Sequence, residues 1–275
     1  MALIRMNLLS RSLMRTVNVN VILPADKLVV SGESMRTGPY QTLYLLHGLL
    51  GSENDWISGT AIQRWAEERD LAVVMPAGEN SFYVDHEDAH DYYGQFIGSE
   101  LVALTRKMFP LSERREVTFL AGLSMGGYGA LRNGLKRDQV FGCVAALSAP
   151  DPVADVDRLE TKTPKLTQSK SFFESRFGPA DQVRGSDKDV LWLAQKLCDE
   201  GRELPKLFLA CGKQDPLLEG NRRMKAAFQK LGFPVHYEER AGGHDWDFWN
   251  AEIRRVLDWL PLQEQAGIHS GNVGL

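Results

Sequence analysis

The chain has 275 residues, of which 43% are hydrophobic and 25% charged, and a formal net charge of −4. Such values belong to a globular protein with a sizeable core. The basic residues are scattered, which argues against nucleic acid, whose phosphates call for a concentrated basic face. No apolar run reaches the ~20 residues of a membrane span, so no membrane partner is expected.

Residues 1–15 mix Leu and Ile with Arg5, Arg11 and Arg15. They lack the unbroken apolar core and small-residue cleavage site of a signal peptide. Alternation over residues 16–23 predicts a strand ended by Pro24, and residues 42–46 a second strand stopping at His47-Gly48. A helix is expected over 61–69, a strand over 71–75 stopped by Pro76, and a helix over 98–109 up to Pro110. A strand and helix meet within 117–131, and another strand follows over 142–147. Residues 151–202 are polar, carry several helical patterns and are too long for a simple connection, so a cap-like insertion near the site is predicted. Strands over 207–211 and 235–239 bracket a helix over 221–231. A last helix, 245–260, places Trp246, Trp249, Ile253, Val256 and Leu260 at helical spacing and therefore in the core. Residues 263–275 read as a flexible tail. Short apolar runs alternating with helical patterns predict an α/β protein, a central mostly parallel sheet flanked by helices. With no repeat or linker, residues 1–275 are expected to form a single domain. Cys143, Cys198 and Cys211 are odd in number and lack metal-like spacing, which fits reduced thiols and a cytoplasmic location.

The most informative stretch is Gly122-Leu123-Ser124-Met125-Gly126, set between an apolar strand and an Ala/Leu-bearing helix. That is the nucleophile-elbow pattern in the context it needs. The tight turn forces the serine into a strained backbone, and Gly122 and Gly126 lack the Cβ atoms that would collide there. A serine hydroxyl needs a base beside it. His244 lies in a glycine-rich loop between the last strand and last helix, on the same sheet edge as the elbow. The base needs an acid, and Asp215 follows the 207–211 strand. The order Ser124, Asp215, His244 is that of α/β-hydrolases. Asp245 and Asp247 compete but lie too near His244 in sequence and are expected to begin the helix. Two backbone donors must bind the oxyanion. We assign the N–H of Met125, after the nucleophile, and that of Leu49, after Gly48, while His47 serves structure.

Together with Leu46-His47-Gly48-Leu49, Leu71-Ala72-Val73-Val74-Met75-Pro76, Ser81-Phe82-Tyr83, Cys211-Gly212 and Gly243-His244-Asp245-Trp246, the elbow resembles the esterase D family of α/β-hydrolases, in particular its tributyrin-esterase-like members. The resemblance covers nearly the whole chain, least distinctively over 151–202. It implies the α/β-hydrolase fold, a Ser124-Asp215-His244 triad and an oxyanion hole at Leu49 and Met125. S-formylglutathione hydrolases, feruloyl and acetylxylan esterases and mycolyltransferases are related branches. The first usually carry a cysteine soon after His-Gly-Leu, where this chain has Leu50-Gly51-Ser52.

His86-Glu87-Asp88-Ala89-His90 spells a zinc-hydrolase signature, which requires both histidines on one helix face. The segment is acidic, lacks an apolar face and has no third ligand at recognisable spacing. It reads as a solvated loop near the site mouth. Trp56, Tyr83, Tyr92, Trp192 and Phe248 are pocket-lining candidates. The expectation is a carboxylesterase acting on short-chain esters through an acyl-enzyme on Ser124. It needs no cofactor or metal, a small-molecule ester is its partner, and a homo-oligomer is left open.

Overall fold

The structure, a computed structural model, describes residues 2–26, 38–163, 165 and 168–263. Its strands in chain order are β1 (Ala2–Ser10), β2 (Arg15–Leu23), β3 (Gln41–Leu46), β4 (Leu71–Pro76), β5 (Asp85–His86), β6 (Asp91–Tyr92), β7 (Thr118–Leu123), β8 (Cys143–Leu147), β9 (Lys206–Gly212) and β10 (Val235–Arg240). Except for β5 and β6, which pair with each other, they form one sheet in the order β1-β2-β4-β3-β7-β8-β9-β10. The six strands from β4 to β10 run parallel, and β2 and β1 add an antiparallel edge.

The helices are α1 (Asp55–Gly59), α2 (Ile62–Glu68), α3 (Tyr93–Gln95), α4 (Leu101–Met108), α5 (Met125–Lys136), α6 (Pro152–Asp155), α7 (Lys170–Phe177), α8 (Val190–Asp199), α9 (Leu218–Lys230) and α10 (Trp246–Trp259). Successive strand residues point to opposite faces, and here both faces are covered. Leu43 and Leu45 join Trp56, Trp65 and Ile253 of α1, α2 and α10 in one cluster. Tyr44 and Leu46 join Leu101, Leu131, Leu193 and Phe228 of α4, α5, α8 and α9 in another. This explains why β3, β4 and β7 are buried at every residue and apolar beyond the opening Gln41-Thr42 of β3 and Thr118 of β7. Trp249 is buried and Trp246 half-buried, both in the first cluster. Among the described residues no helix is long and apolar enough to cross a membrane.

Two differences from the sequence reading stand out. Residues 2–10 form a strand that the sequence pattern does not announce, because the pairs Leu3-Ile4 and Leu8-Leu9 break apolar alternation. The helix expected from residue 98 begins instead as a π-helical turn, Phe96–Glu100, and only then becomes α4. The tail expected over 263–275 lies, beyond Gln263, outside the described residues.

Residues 151–202 supply α6, α7 and α8 and are stapled to α5. The Arg132 side chain of α5 is fully buried and pairs with Asp187, while Asp85 lies 3.4 Å away. Arg132 Nε also donates to the Asp187 carbonyl at 3.2 Å, and Tyr128 Oη donates to that of Lys188 at 2.8 Å. Burial alone would raise the Asp187 carboxyl, but Arg132 and Lys136 outweigh it and hold it below the usual range. Its stabilising contribution is therefore present above the ordinary carboxylate pKa and lost as pH falls through the lower folded value. Arg132→Met removes the buried guanidinium and leaves Lys136 as the cation facing both Asp187 and Asp85. Losing the charge-assisted hydrogen bonds should cost about 1.5–3 kcal/mol at neutral pH, read by urea unfolding. A loss below about 1 kcal/mol, the range of surface pairs, would show that the cluster does not hold the Asp187 segment against α5.

Candidate active site

Ser124 stands between β7 and α5 with φ 50° and ψ −121°, a conformation that side-chain-bearing residues rarely adopt. The turn holds because its surroundings overdetermine it. The Ser124 N–H donates to Leu147 O at 2.8 Å, tying the elbow to the end of β8. A Cβ on Gly126 would lie 2.5 Å from Leu46 O and 2.6 Å from His47 O, and one on Gly122 would strike the Gly126 backbone. Only glycine fits at either place.

The parallel strands deliver the other groups to the same edge. Asp215 follows β9 and His244 follows β10. His244 Nε2 lies 2.9 Å from Ser124 Oγ, and His244 Nδ1 lies 2.9 Å from Asp215 Oδ2. A buried carboxylate facing Nδ1 leaves the proton on that nitrogen and Nε2 bare, so the Ser124 hydroxyl donates to it. The Asp215 side chain is fully buried, and its Oδ1 accepts the Leu217 N–H at 2.9 Å. Burial alone would raise its pKa, but hydrogen bonds from His244 and the Leu217 N–H outweigh this and keep it below the ordinary range. The His244 ring meets Trp249 edge-to-face at 4.9 Å, which fixes its plane. Asp245 caps α10, accepting the Phe248 N–H at 3.0 Å, and Asp247 is exposed on that helix.

A cavity of about 420 Å³ opens over Ser124 and His244, and Leu49 and Met125 line it. No hydrogen bond from either N–H to a protein acceptor is found among the described residues. The expected aromatic lining is corrected. Trp56 and Phe248 are buried in the core, with Trp56 Nε1 donating to Leu46 O. Tyr83 is fully buried and donates to His47 O at 3.0 Å. Tyr92 packs on His90, and Trp192 lies on the outside of α8 against Lys196. The wall is instead Phe82, Phe172, Phe173 and Phe177, with Phe82 and Phe177 rings 4.8 Å apart. Phe82 and Tyr83 both have positive φ, 53° and 56°, and this turn sends Phe82 to the cavity and Tyr83 inward. Composition does not reveal such a reversal. The signal that points to the wall is Phe172, Phe173 and Phe177 themselves, three phenylalanines close together in a largely polar segment. That segment also brings Asp155, Arg158 and Gln168 to the cavity rim.

His86 and His90 are not on a helix. His86 ends β5 and His90 stands in the turn before β6 at φ 51°, so the helical face that a four-residue spacing would share is not formed here. The β5–β6 ribbon is not simply solvated either, since Asp85 accepts the Gln95 N–H at 2.9 Å and pairs with Arg132. Among the described residues no group of three or more His, Cys, Asp or Glu could hold a metal ion. Prolonged EDTA treatment should leave esterase activity intact, and the His86→Ala/His90→Ala double variant should keep most of it. Stoichiometric zinc by metal analysis, with inactivation by EDTA, would overturn this expectation.

A mostly parallel sheet with helices on both faces and a strained serine after its central strand is an α/β-hydrolase architecture. The chain belongs to the family described as "putative esterase", whose model matches residues 10–260. The esterase D-like resemblance of its motifs is thus borne out at family level. It is 39% identical to an acetyl esterase of Caldicellulosiruptor saccharolyticus, over 94% of this chain and 98% of that one. Two solved structures from Staphylococcus aureus each cover 94% of this chain and are themselves covered over 98%. They are an S-formylglutathione hydrolase (32% identity, TM-score 0.80) and fluorophosphonate-binding serine hydrolase F (33%, TM-score 0.81).

Proposed function

We propose that this serine esterase cleaves small acyl esters through an acyl-enzyme on Ser124. The observation that carries the reading is the unbroken chain from Ser124 Oγ through the His244 ring to the buried Asp215 carboxylate, 2.9 Å at each step. As Ser124 Oγ attacks the ester carbonyl, its proton passes to His244 Nε2, and Asp215 stabilises the imidazolium. The carbonyl oxygen becomes an oxyanion facing the N–H groups of Leu49 and Met125. Collapse expels the alcohol, which takes the proton from His244. Water, deprotonated by the same nitrogen, then releases the acid and restores Ser124.

Short acyl groups are favoured on three grounds. The 39% identical relative is an acetyl esterase, Asp155, Arg158 and Gln168 make the rim polar, and the cavity of about 420 Å³ must hold the acyl and alcohol parts together. Each methylene gains about 0.8 kcal/mol only while it stays buried. In a p-nitrophenyl ester series, kcat/KM should peak between acetate and butyrate and fall clearly by octanoate. A profile rising steadily to dodecanoate would mean that the phenylalanine wall opens into an apolar channel. S-formylglutathione hydrolysis is the second reading, favoured by the 32% identical neighbour, and feruloyl and acetylated substrates belong in the same panel. A cytoplasmic location is part of the proposal, supported by Cys143, Cys198 and Cys211 all being free.

A further inference from the structure

His47 lies directly after β3, is almost fully buried and is not part of the triad. Its Nε2 lies 2.8 Å from the Gly78 nitrogen, which can only donate, so Nε2 accepts and carries no proton. The ring proton is then on Nδ1, which donates to Gly48 O at 2.7 Å. The Gly51 N–H donates to the same oxygen at 3.2 Å. Burial lowers the His47 pKa, which agrees with a neutral ring in this single tautomer. Tyr83 holds the His47 carbonyl from behind, at 3.0 Å, and its ring packs edge-on against the imidazole.

The Gly48–Leu49 peptide is trans, so its carbonyl and its N–H point in opposite directions. Two donors hold the Gly48 oxygen on the protein side. The Leu49 N–H must therefore point the other way, and Leu49 lines the cavity beside Ser124, Met125 and His244. We propose that His47 is the positioning residue of the oxyanion hole, turning the Gly48–Leu49 peptide so that the Leu49 N–H faces the reacting carbonyl. This rests on the acyl-enzyme mechanism proposed for Ser124. A buried, neutral imidazole suits the task, because it supplies a donor at Nδ1 and an acceptor at Nε2 across one rigid ring.

Two isosteres separate the two ring contacts. Asparagine can place its amide N–H near the Nδ1 position and keep the bond to Gly48 O. Glutamine reaches the Nε2 position, where its oxygen can accept the Gly78 N–H, but leaves Gly48 O without its side-chain donor. For a p-nitrophenyl acetate assay, His47→Gln should lower kcat about 10²-fold with KM little changed, the loss typical of one oxyanion donor, while His47→Asn stays within about tenfold of wild type. Affinity for a boronic acid, whose adduct on Ser124 is tetrahedral and anionic, should fall in step with kcat. Equal losses in both variants, tracking a fall in melting temperature and sparing boronate affinity, would mark a structural role and overturn the proposal. So would a folded His47→Gln with wild-type kcat. Ser124→Ala run alongside keeps the readings apart, since activity surviving in that variant defeats the acyl-enzyme mechanism itself, whatever His47 does.

Discussion

Ser124→Ala, purified and folded, should hydrolyse esters on the order of 10⁴–10⁶-fold more slowly than wild type, with KM poorly defined because turnover nearly vanishes. The substitution removes one hydroxyl and its 2.9 Å hydrogen bond to His244. It leaves the backbone strain in place, since alanine at φ 50° is no freer than serine. The Ser124 N–H bond to Leu147 O and the close packing of Gly122 and Gly126 do not involve the side chain. Thermal unfolding should therefore shift little while catalysis is lost. Wild-type protein incubated with a fluorophosphonate should gain one adduct, mapping to Ser124 by mass spectrometry, and the variant should gain none. Substantial turnover by the variant, or an adduct on another residue, would place the nucleophile elsewhere.

The parts of this site legible in the sequence are those governed by backbone geometry. An elbow needs glycines where chain meets chain, so Gly122 and Gly126 announce it once an apolar strand and a helical pattern flank them. Parallel strands end on one edge, so a loop after β9 or β10 points to the site whatever its residues do. This is why chain order suffices to name Asp215 and His244. Side-chain direction is a different matter. Tyr83 and Phe82 are adjacent, and which one faces the cavity depends on two consecutive left-handed residues that no periodicity announces. Trp56 has the chemistry of a pocket residue, yet its indole N–H is needed by Leu46 O at the end of β3, and it is buried there. His47 is the reverse case. It reads as a structural histidine beside a turn, and its bearing on the oxyanion shows only once the partners of both ring nitrogens are known. The edge strand β1 escapes the pattern because its exposed side tolerates leucine: Leu9 is 69% exposed.

Asp215→Asn should cut kcat by roughly 10²–10⁴ while Asp245→Asn stays near wild type. The asymmetry follows from what each carboxylate accepts. Asp215 receives His244 Nδ1–H on Oδ2 and the Leu217 N–H on Oδ1. An asparagine there has one acceptor oxygen for two donors. If the oxygen stays with Leu217, the amide N–H faces His244 Nδ1 and draws the ring into the tautomer with Nε2 protonated. That tautomer cannot take the proton of Ser124. Asp245 also has two donors, the Phe248 and Gly243 N–H groups at 3.0 and 3.1 Å, but neither bears on the His244 ring, and an asparagine that keeps its oxygen on Phe248 gives up only the exposed bond to Gly243. Asparagine caps a helix about as well as aspartate, so only a small change is expected. The pH dependence has a definite sign. Burial alone would raise Asp215, but hydrogen bonds from His244 and the Leu217 N–H hold it below the ordinary carboxylate range. Its charge is present above that range and lost only as pH falls through the lower folded value. The gap between wild type and Asp215→Asn should thus persist across neutral pH and close only in acid. Rates at pH 6, 7 and 8 test this directly, and a larger loss in Asp245→Asn than in Asp215→Asn would reassign the acid.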